Sequence, residues 1–271
     1  MKPNYKNWMP KGMIRGTAAG CAVCLVLFLV FGVSGLLAAG IWRTALTALF
    51  LVLTIVLLAV TAWMVLLYRA FSYDGKRQLS RVIIDGVAAR VVLPEGGYGL
   101  DVGCGSGALT VAVARRNPKA RMTGIDRWGA EYSSFSKTLC EENAKAEGVS
   151  NTSFAKGDAV RLHFADGTFD AVCSNYVYHN IPSRNRQEIV METLRVLKKG
   201  GTFAIHDIFS PLKYGDMQMF VQRLKNMGYA DVSLIPTDDG LFMSRREAFW
   251  LGLKGSAILV GKKYKSTLPY V

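Results

Sequence analysis

The chain contains only three histidines and five cysteines among its 271 residues, and its front portion has almost no charge. The five cysteines (Cys21, Cys24, Cys104, Cys140 and Cys173) are odd in number and scattered, which excludes a disulfide framework. Cys21 and Cys24 have no histidine or second cysteine pair near them, so a zinc half-site gives way to ordinary helix packing and no metal is expected. No internal repeat and no low-complexity linker occurs, which excludes a solenoid or a disordered tether. With histidine so scarce, few side chains are suited to proton transfer near neutral pH.

Missing charge is most informative between Thr17 and Trp42 and between Ala45 and Tyr68, where no Asp, Glu or Lys occurs. Each stretch is long enough to cross a hydrocarbon core of about 30 Å. Only a few residues around Arg43 separate them, so the expectation is a helical hairpin that crosses a bilayer and returns. This hairpin accounts for a hydrophobic fraction of 51% and a mean hydropathy of +0.21, both high for a soluble chain. Lys2, Lys6, Lys11 and Arg15 precede the first span, and Arg69, Lys76, Arg77 and Arg81 follow the second. Both ends are therefore expected in the cytoplasm. A cleaved signal peptide is not expected, because the apolar run is too long and a second span follows at once. Gly16 and Gly20 form a G-x-x-x-G, which either brings two helices close or reflects a lipid-tolerant composition.

The net charge of +13 raises the question of nucleic acid. The cations are dispersed and not interleaved with aromatics, so attraction to an anionic membrane surface is the expected reading.

After Phe71 the pattern becomes that of a soluble α/β domain. Apolar residues recur at helical spacing from Ser80 to Val92. Strands and helices then alternate: strands at Gly99 to Val102, Arg121 to Ile125, Thr152 to Ala155, Phe169 to Ser174, Thr202 to Ile208, Asp231 to Ile235 and Ala257 to Lys263; helices at Leu109 to Arg116, Tyr132 to Glu147, Arg186 to Lys198 and Tyr214 to Met227. Such alternation implies a doubly wound, mostly parallel Rossmann-like sheet with ligands at the carboxyl ends of its strands. The expected organisation is a basic tail (1–16), a membrane hairpin (17–68), a linking helix region (69–98) and a catalytic domain (99–271).

Leu100 to Thr110 reads LDVGCGSGALT, a strand ending on an acid and followed by Gly103, Gly105 and Gly107. Glycines permit the tight turn and let a ligand approach the main chain. The spacing is not the G-x-G-x-x-G of dinucleotide sites, and Asp101 suits a cation where a phosphate would be repelled. The segment resembles the first motif of class I S-adenosylmethionine (AdoMet) methyltransferases, whose cofactor carries a sulfonium and an ammonium group. Further matches follow in order: Asp126 ending the second strand, Gly157-Asp158-Ala159 after the third, Asn175 ending the fourth, Tyr176 to Ile181 as a substrate-side loop, and Leu194 to Gly201 as a helix end in which Lys199 replaces the usual proline. Together they span about Gly99 to Ile208.

The resemblance implies a small-molecule methyltransferase on a seven-stranded sheet with an antiparallel edge. It implies AdoMet binding by Asp101, Gly103, Cys104, Gly105, Gly107, Asp126, Arg127, Asp158, Ala159 and Asn175. Asp126 takes the ribose role against a capping role, and Asp158 the adenine-reading role against a turn-forming one. His179 is the candidate general base, against a role in ordering its loop; His206 and Asp207 are second candidates, and His163 is expected to be exposed. The hairpin makes a small or lipid-like methyl acceptor the favoured partner, with no nucleic acid. An NAD(P)-dependent oxidoreductase on the same sheet and a non-catalytic AdoMet-binding membrane scaffold stand as alternatives.

Overall fold

The computed structural model describes residues 2–35, 38–129 and 134–264. The chain divides into two compact units, residues 7–78 and residues 1–6 together with 79–271.

The first unit contains α1 (Lys11–Gly32) and α2 (Ile41–Phe71), both long and apolar enough to cross a membrane. The first helix thus starts and stops earlier than the charge-free stretch suggests, and Arg43 lies inside α2 instead of at the turn. The reason is electrostatic: Arg43 donates to the carbonyls of Phe31 (3.2 Å) and Gly32 (2.7 Å), at the end of α1, where the helix leaves acceptors unsatisfied. The helices run antiparallel, with the Cys21 thiol donating to the Thr54 carbonyl at 3.5 Å and Gly32 facing Thr47. Gly20 and Gly32 are the small residues at this contact, since Gly16 has no neighbour within 4 Å of a built Cβ. Thr47, Thr54 and Thr61 each donate to the carbonyl four residues back, at 2.7 Å.

The second unit begins with α3 (Leu79–Ala88), shorter than its apolar spacing suggests. Asn117 explains the stop, accepting from the Leu93 amide (2.9 Å) and donating to the Val91 carbonyl (3.1 Å), which holds 91–93 extended. The alternation then proceeds through β1 (Tyr98–Val102), α4 (Ala108–Arg116), β2 (Arg121–Asp126), α5 (Lys137–Ala146), β3 (Thr152–Lys156), β4 (Phe169–Asn175), α6 (Arg186–Arg195) and β5 (Leu197–Ile208). It ends with α7 (Pro211–Tyr214), α8 (Met217–Asn226), β6 (Tyr229–Pro236), α9 (Arg245–Trp250) and β7 (Ser256–Lys263).

One seven-stranded sheet has the order β3-β2-β1-β4-β5-β7-β6, with β1 to β5 parallel and β7 antiparallel to both neighbours. Strand order reverses between β1 and β4, and a doubly wound sheet opens a ligand crevice at that switch point.

Several elements differ from expectation, and α6 ends at Arg195, before the expected Lys198. β5 starts at Leu197 because residues 198–201 bulge out of the pairing with β4, with Gly200 left-handed at φ +86°. The single helix expected at 214–227 is two, because Gly215 leaves the helical region and Asp216 caps a new start by accepting the Gln218 and Met219 amides. α5 starts at Lys137 behind the Ser136 cap, and positions 132 and 133 of its expected range lie outside the described residues. The short α9, between the last two strands, had no counterpart in the spacing.

Candidate active site

The glycine loop grows out of β1 and is pinned by its own backbone: the amides of Gly103 and Cys104 both donate to the Ile125 carbonyl of β2, at 2.8 and 2.9 Å. Gly103, Gly105 and Gly107 all have positive φ (+78°, +56° and +81°), a conformation that side chains rarely adopt. At Gly103 a Cβ would also meet Val177 at 2.3 Å, so the glycine loop lies hard against the loop after β4. At Gly105 a built Cβ would be in ordinary van der Waals contact with the Phe135 ring, 3.6 Å away.

Beneath the loop, Asp101 is fully buried at the end of β1. Its Oδ2 accepts from Thr110 at 2.6 Å, whereas Oδ1 has no partner; among the described residues only one other buried side-chain oxygen, that of Thr202, is in this position. Burial, opposed by the Thr110 bond and assisted by the Asp126 charge, pushes the Asp101 carboxyl up to about 7. A buried acceptor with an open valence beside a glycine cradle is a fitting seat for a cationic ligand.

Asp126 at the end of β2 faces the same loop. It accepts the Gly105 amide on Oδ2 (2.9 Å) and the Trp128 amide on Oδ1 (2.7 Å), so it organises both loops, and its remaining lone pairs are suited to hydroxyls. Trp128, absent from the sequence reading, has φ +45° and donates its indole N–H to the Gly105 carbonyl at 3.0 Å. Its only signal in the sequence is an aromatic two residues after Asp126. Asn143 on α5 is a second such residue: its buried amide donates to the Ser106 carbonyl (2.9 Å) and accepts the Asn4 amide (2.6 Å), tying residues near the chain start to the glycine loop. Cys104 and Cys140 pack together under the loop, where burial first and then their mutual hydrogen bond push the Cys104 thiol well up, leaving it inert.

The remaining expected cofactor residues are arranged less specifically. Asp158 is half-buried and accepts the Val160 amide at 2.9 Å, the bond of a turn-former, and Ala159 packs on the main core. Arg127 is exposed, next to Asp126. Asn175 is at the end of β4, its Oδ1 2.7 Å from His206 Nδ1.

His206 is completely buried, and both its nitrogens are engaged, Nδ1 with Asn175 and Nε2 with Thr237 at 2.9 Å. Burial pushes it down to about 3, so it is neutral and serves to hold Asn175; it has no free nitrogen for a proton. His179 differs. It lies on the one-turn 3-10 helix Tyr178–Asn180 beyond β4, with its Nδ1 2.5 Å from Asp207 Oδ1. Asp207, also fully buried, accepts the amides of Tyr178 and His179 and the Tyr214 hydroxyl on Oδ2, at 2.8, 3.1 and 2.9 Å. Burial by itself would raise Asp207, but the His179 bond and charge, the Ile208 amide and Tyr214 together hold it below the ordinary carboxylate value. Since an ionised carboxylate only accepts, Nδ1 is the donor of this bond, and Nε2 is the ring nitrogen that Asp207 does not engage. His163 is exposed, as expected.

Residues 100–205 match the family of methyltransferase domains. That segment is similar to AdoMet-dependent methyltransferase domains of class I, and AdoMet is the cofactor that this similarity implies. Among curated relatives, the chain is similar to a ubiquinone/menaquinone biosynthesis C-methyltransferase of Desulfotalea psychrophila, 32% identical over 47% of this chain and 48% of that protein. It is also similar to a demethylmenaquinone methyltransferase of Geobacillus stearothermophilus, 29% identical over 49% and 55% respectively. The chain spans about half the length of these relatives. The fold is shared with the crystal structure of a cyclase, SpnF (TM-score 0.52, 22% identity, 69% of this chain and 83% of that one).

Proposed function

We propose that the chain is a membrane-anchored methyltransferase that transfers a methyl group from AdoMet to a small, lipid-like acceptor. The observation that carries this reading is the open valence of buried Asp101 beneath a glycine loop whose spacing suits a sulfonium cofactor. A pyrophosphate cofactor would be repelled by that acid, which disfavours a nicotinamide enzyme.

When bound, AdoMet supplies an electrophilic methyl group on a good leaving group, so the main requirement is an aligned nucleophile. Asp101 supplies negative charge for its ammonium or sulfonium, the glycine loop and Asp126 position the remainder, and Trp128 fixes the loop conformation. On the acceptor side, Asp207 orients His179 so that Nε2 is presented as a proton acceptor, and its charge stabilises the imidazolium that forms. This suits an acceptor that begins protonated, such as a phenol, an enol or a hydroxylated ring carbon. The relatives that act on menaquinone precursors, and the apolar hairpin of this chain, both favour an amphiphilic molecule of this kind.

The flanking cations support a topology with both hairpin ends and the catalytic unit in the cytoplasm. Native membranes incubated with labelled AdoMet test the reading. Label should enter the lipid fraction for wild type and vanish for Asp101→Ala, whose calorimetric AdoMet binding is lost. AdoMet binding that is unchanged by Asp101→Ala and Asp126→Ala would overturn it. His179→Ala should slow transfer about 10²–10⁴-fold with AdoMet affinity retained. Retained binding with no transfer to any fraction of wild type would favour the scaffold.

A further inference from the structure

Asn175 closes β4 at the side of the crevice away from the glycine loop's acids on β2. Across the switch point Asp101 of β1 is in register with Cys173 of β4, and Asn175 is in register with His206 of β5. Side chains two apart on a strand share a face, so Asn175 and His206 stand on the face of Asp101, one pleat nearer the carboxyl ends where the crevice opens. The Tyr176 amide donates to the His206 carbonyl at 2.8 Å, which holds the two strand ends level.

Proton placement along this row is set at its buried end, Thr237, just after β6. Thr237 is completely buried; its amide donates to the Ser256 carbonyl at 2.9 Å, and its carbonyl accepts the Phe242 and Met243 amides at 3.2 and 3.3 Å. Among the described residues its hydroxyl has one partner, His206 Nε2 at 2.9 Å. A buried hydroxyl proton needs an acceptor, so it points at Nε2. His206, neutral through burial, then carries its single proton on Nδ1 and donates it to Asn175 Oδ1 at 2.7 Å. The opposite tautomer would strand the Thr237 proton with nothing to accept it. The oxygen arm of the planar Asn175 amide is thereby taken, and the nitrogen arm, with two N–H donors and no partner among the described residues, is left at the half-buried strand end. Next to it Tyr176, left-handed at φ +54°, has its ring 4.5 Å from that of His206 and 5.9 Å from that of His179. One aromatic ring thus separates the Asn175 amide row from the candidate base.

We propose that the Asn175 amide nitrogen donates a hydrogen bond to a carbonyl or phenolic oxygen of the methyl acceptor, with His206 and Thr237 as positioning residues that keep the nitrogen outward. An ammonium group, which only donates, finds no acceptor in this side chain. The identity of the ligand rests on the methyltransferase reading above; the orientation of the amide does not.

The full chain in lipid nanodiscs, with isotope-labelled histidine, tests the orientation by nuclear magnetic resonance. His206 should carry its proton on Nδ1, and a proton on Nε2 overturns the proposal. Duroquinone and durene, alike except for two carbonyl oxygens, test the donor at equal mole fraction in the lipid with AdoMet present. Wild type should bind the quinone about tenfold tighter than the hydrocarbon. Asn175→Ala and Thr237→Val should lose most of that preference, and Thr237→Ser, which restores the hydroxyl, should keep it. A preference unchanged by Asn175→Ala overturns the proposal; if AdoMet affinity falls in that variant instead, the donor belongs to the cofactor's carboxylate. Wild type that binds no AdoMet defeats the methyltransferase reading, whereas the His206 proton reports on the amide alone, so the two failures are distinguishable.

Discussion

The hairpin and the catalytic unit satisfy their polar groups in opposite ways. In α2, Thr47, Thr54 and Thr61, seven residues apart, each bond a carbonyl one turn back, so each needs nothing beyond its own helix. In the catalytic unit the partners are far apart in sequence: Ser174 donates to the Val102 carbonyl, Asn143 joins Asn4 to Ser106, and Asp207 gathers Tyr178 and His179. Local satisfaction makes a segment self-sufficient in an apolar medium. Distant satisfaction specifies one structure, and there the exceptions among the described residues are two buried oxygens, of Asp101 beneath the glycine loop and of Thr202 on β5.

The sharpest test of this contrast is Asp207→Ala. It leaves a buried hydroxyl and three amides without their acceptor and should cost about 3–5 kcal/mol of stability, read by denaturant unfolding of the catalytic unit's signal in detergent. The milder Asp207→Asn should alter the acid limb. Because the folded carboxyl is held below its unfolded value, its stabilisation is present above that value and lost as pH falls through the folded one. The wild-type melting temperature should therefore drop in this acid window more steeply than that of the Asn variant.

Next in size is the effect of pH on cofactor binding. A cation favours ionised Asp101, so AdoMet affinity should fall by up to tenfold for each unit below about 7, and binding there should release a proton seen as buffer-dependent calorimetric heat. Asp101→Asn should bind weakly at every pH; an unchanged pH profile in that variant would assign the titration elsewhere. Asn143→Ala should cost about 1 kcal/mol and speed amide exchange in residues 103–107, because the Ser106 carbonyl loses its donor. Thr54→Val should shift stability by less than about 0.5 kcal/mol, since the lost bond is local and the replacement is isosteric.

The same contrast explains what the sequence made legible. The glycine loop, the acid ending β2 and the alternation of strands and helices are short-range patterns, and the sheet order and antiparallel edge follow the family resemblance they establish. Asp207 was visible only as an alternative base, because its role as the orienting partner of His179 depends on a contact across 28 residues. His206 stood as a second candidate until burial and two partners removed its availability. Trp128 and Asn143 carried almost no local signal. The hairpin erred in the other direction: lack of charge marked its extent but not its turn, because Arg43 caps α1 from within α2.

The near-contact of Gly103 with Val177 links the two halves of the site in a further way. One residue belongs to the glycine loop and the other to the loop after β4, and each limits the volume available to the other. The two positions are therefore coupled: a bulkier residue at 177 finds no room above the glycine, and a smaller one opens a hollow between the two loops, so a change in either loop has to work around a wall shared with the other.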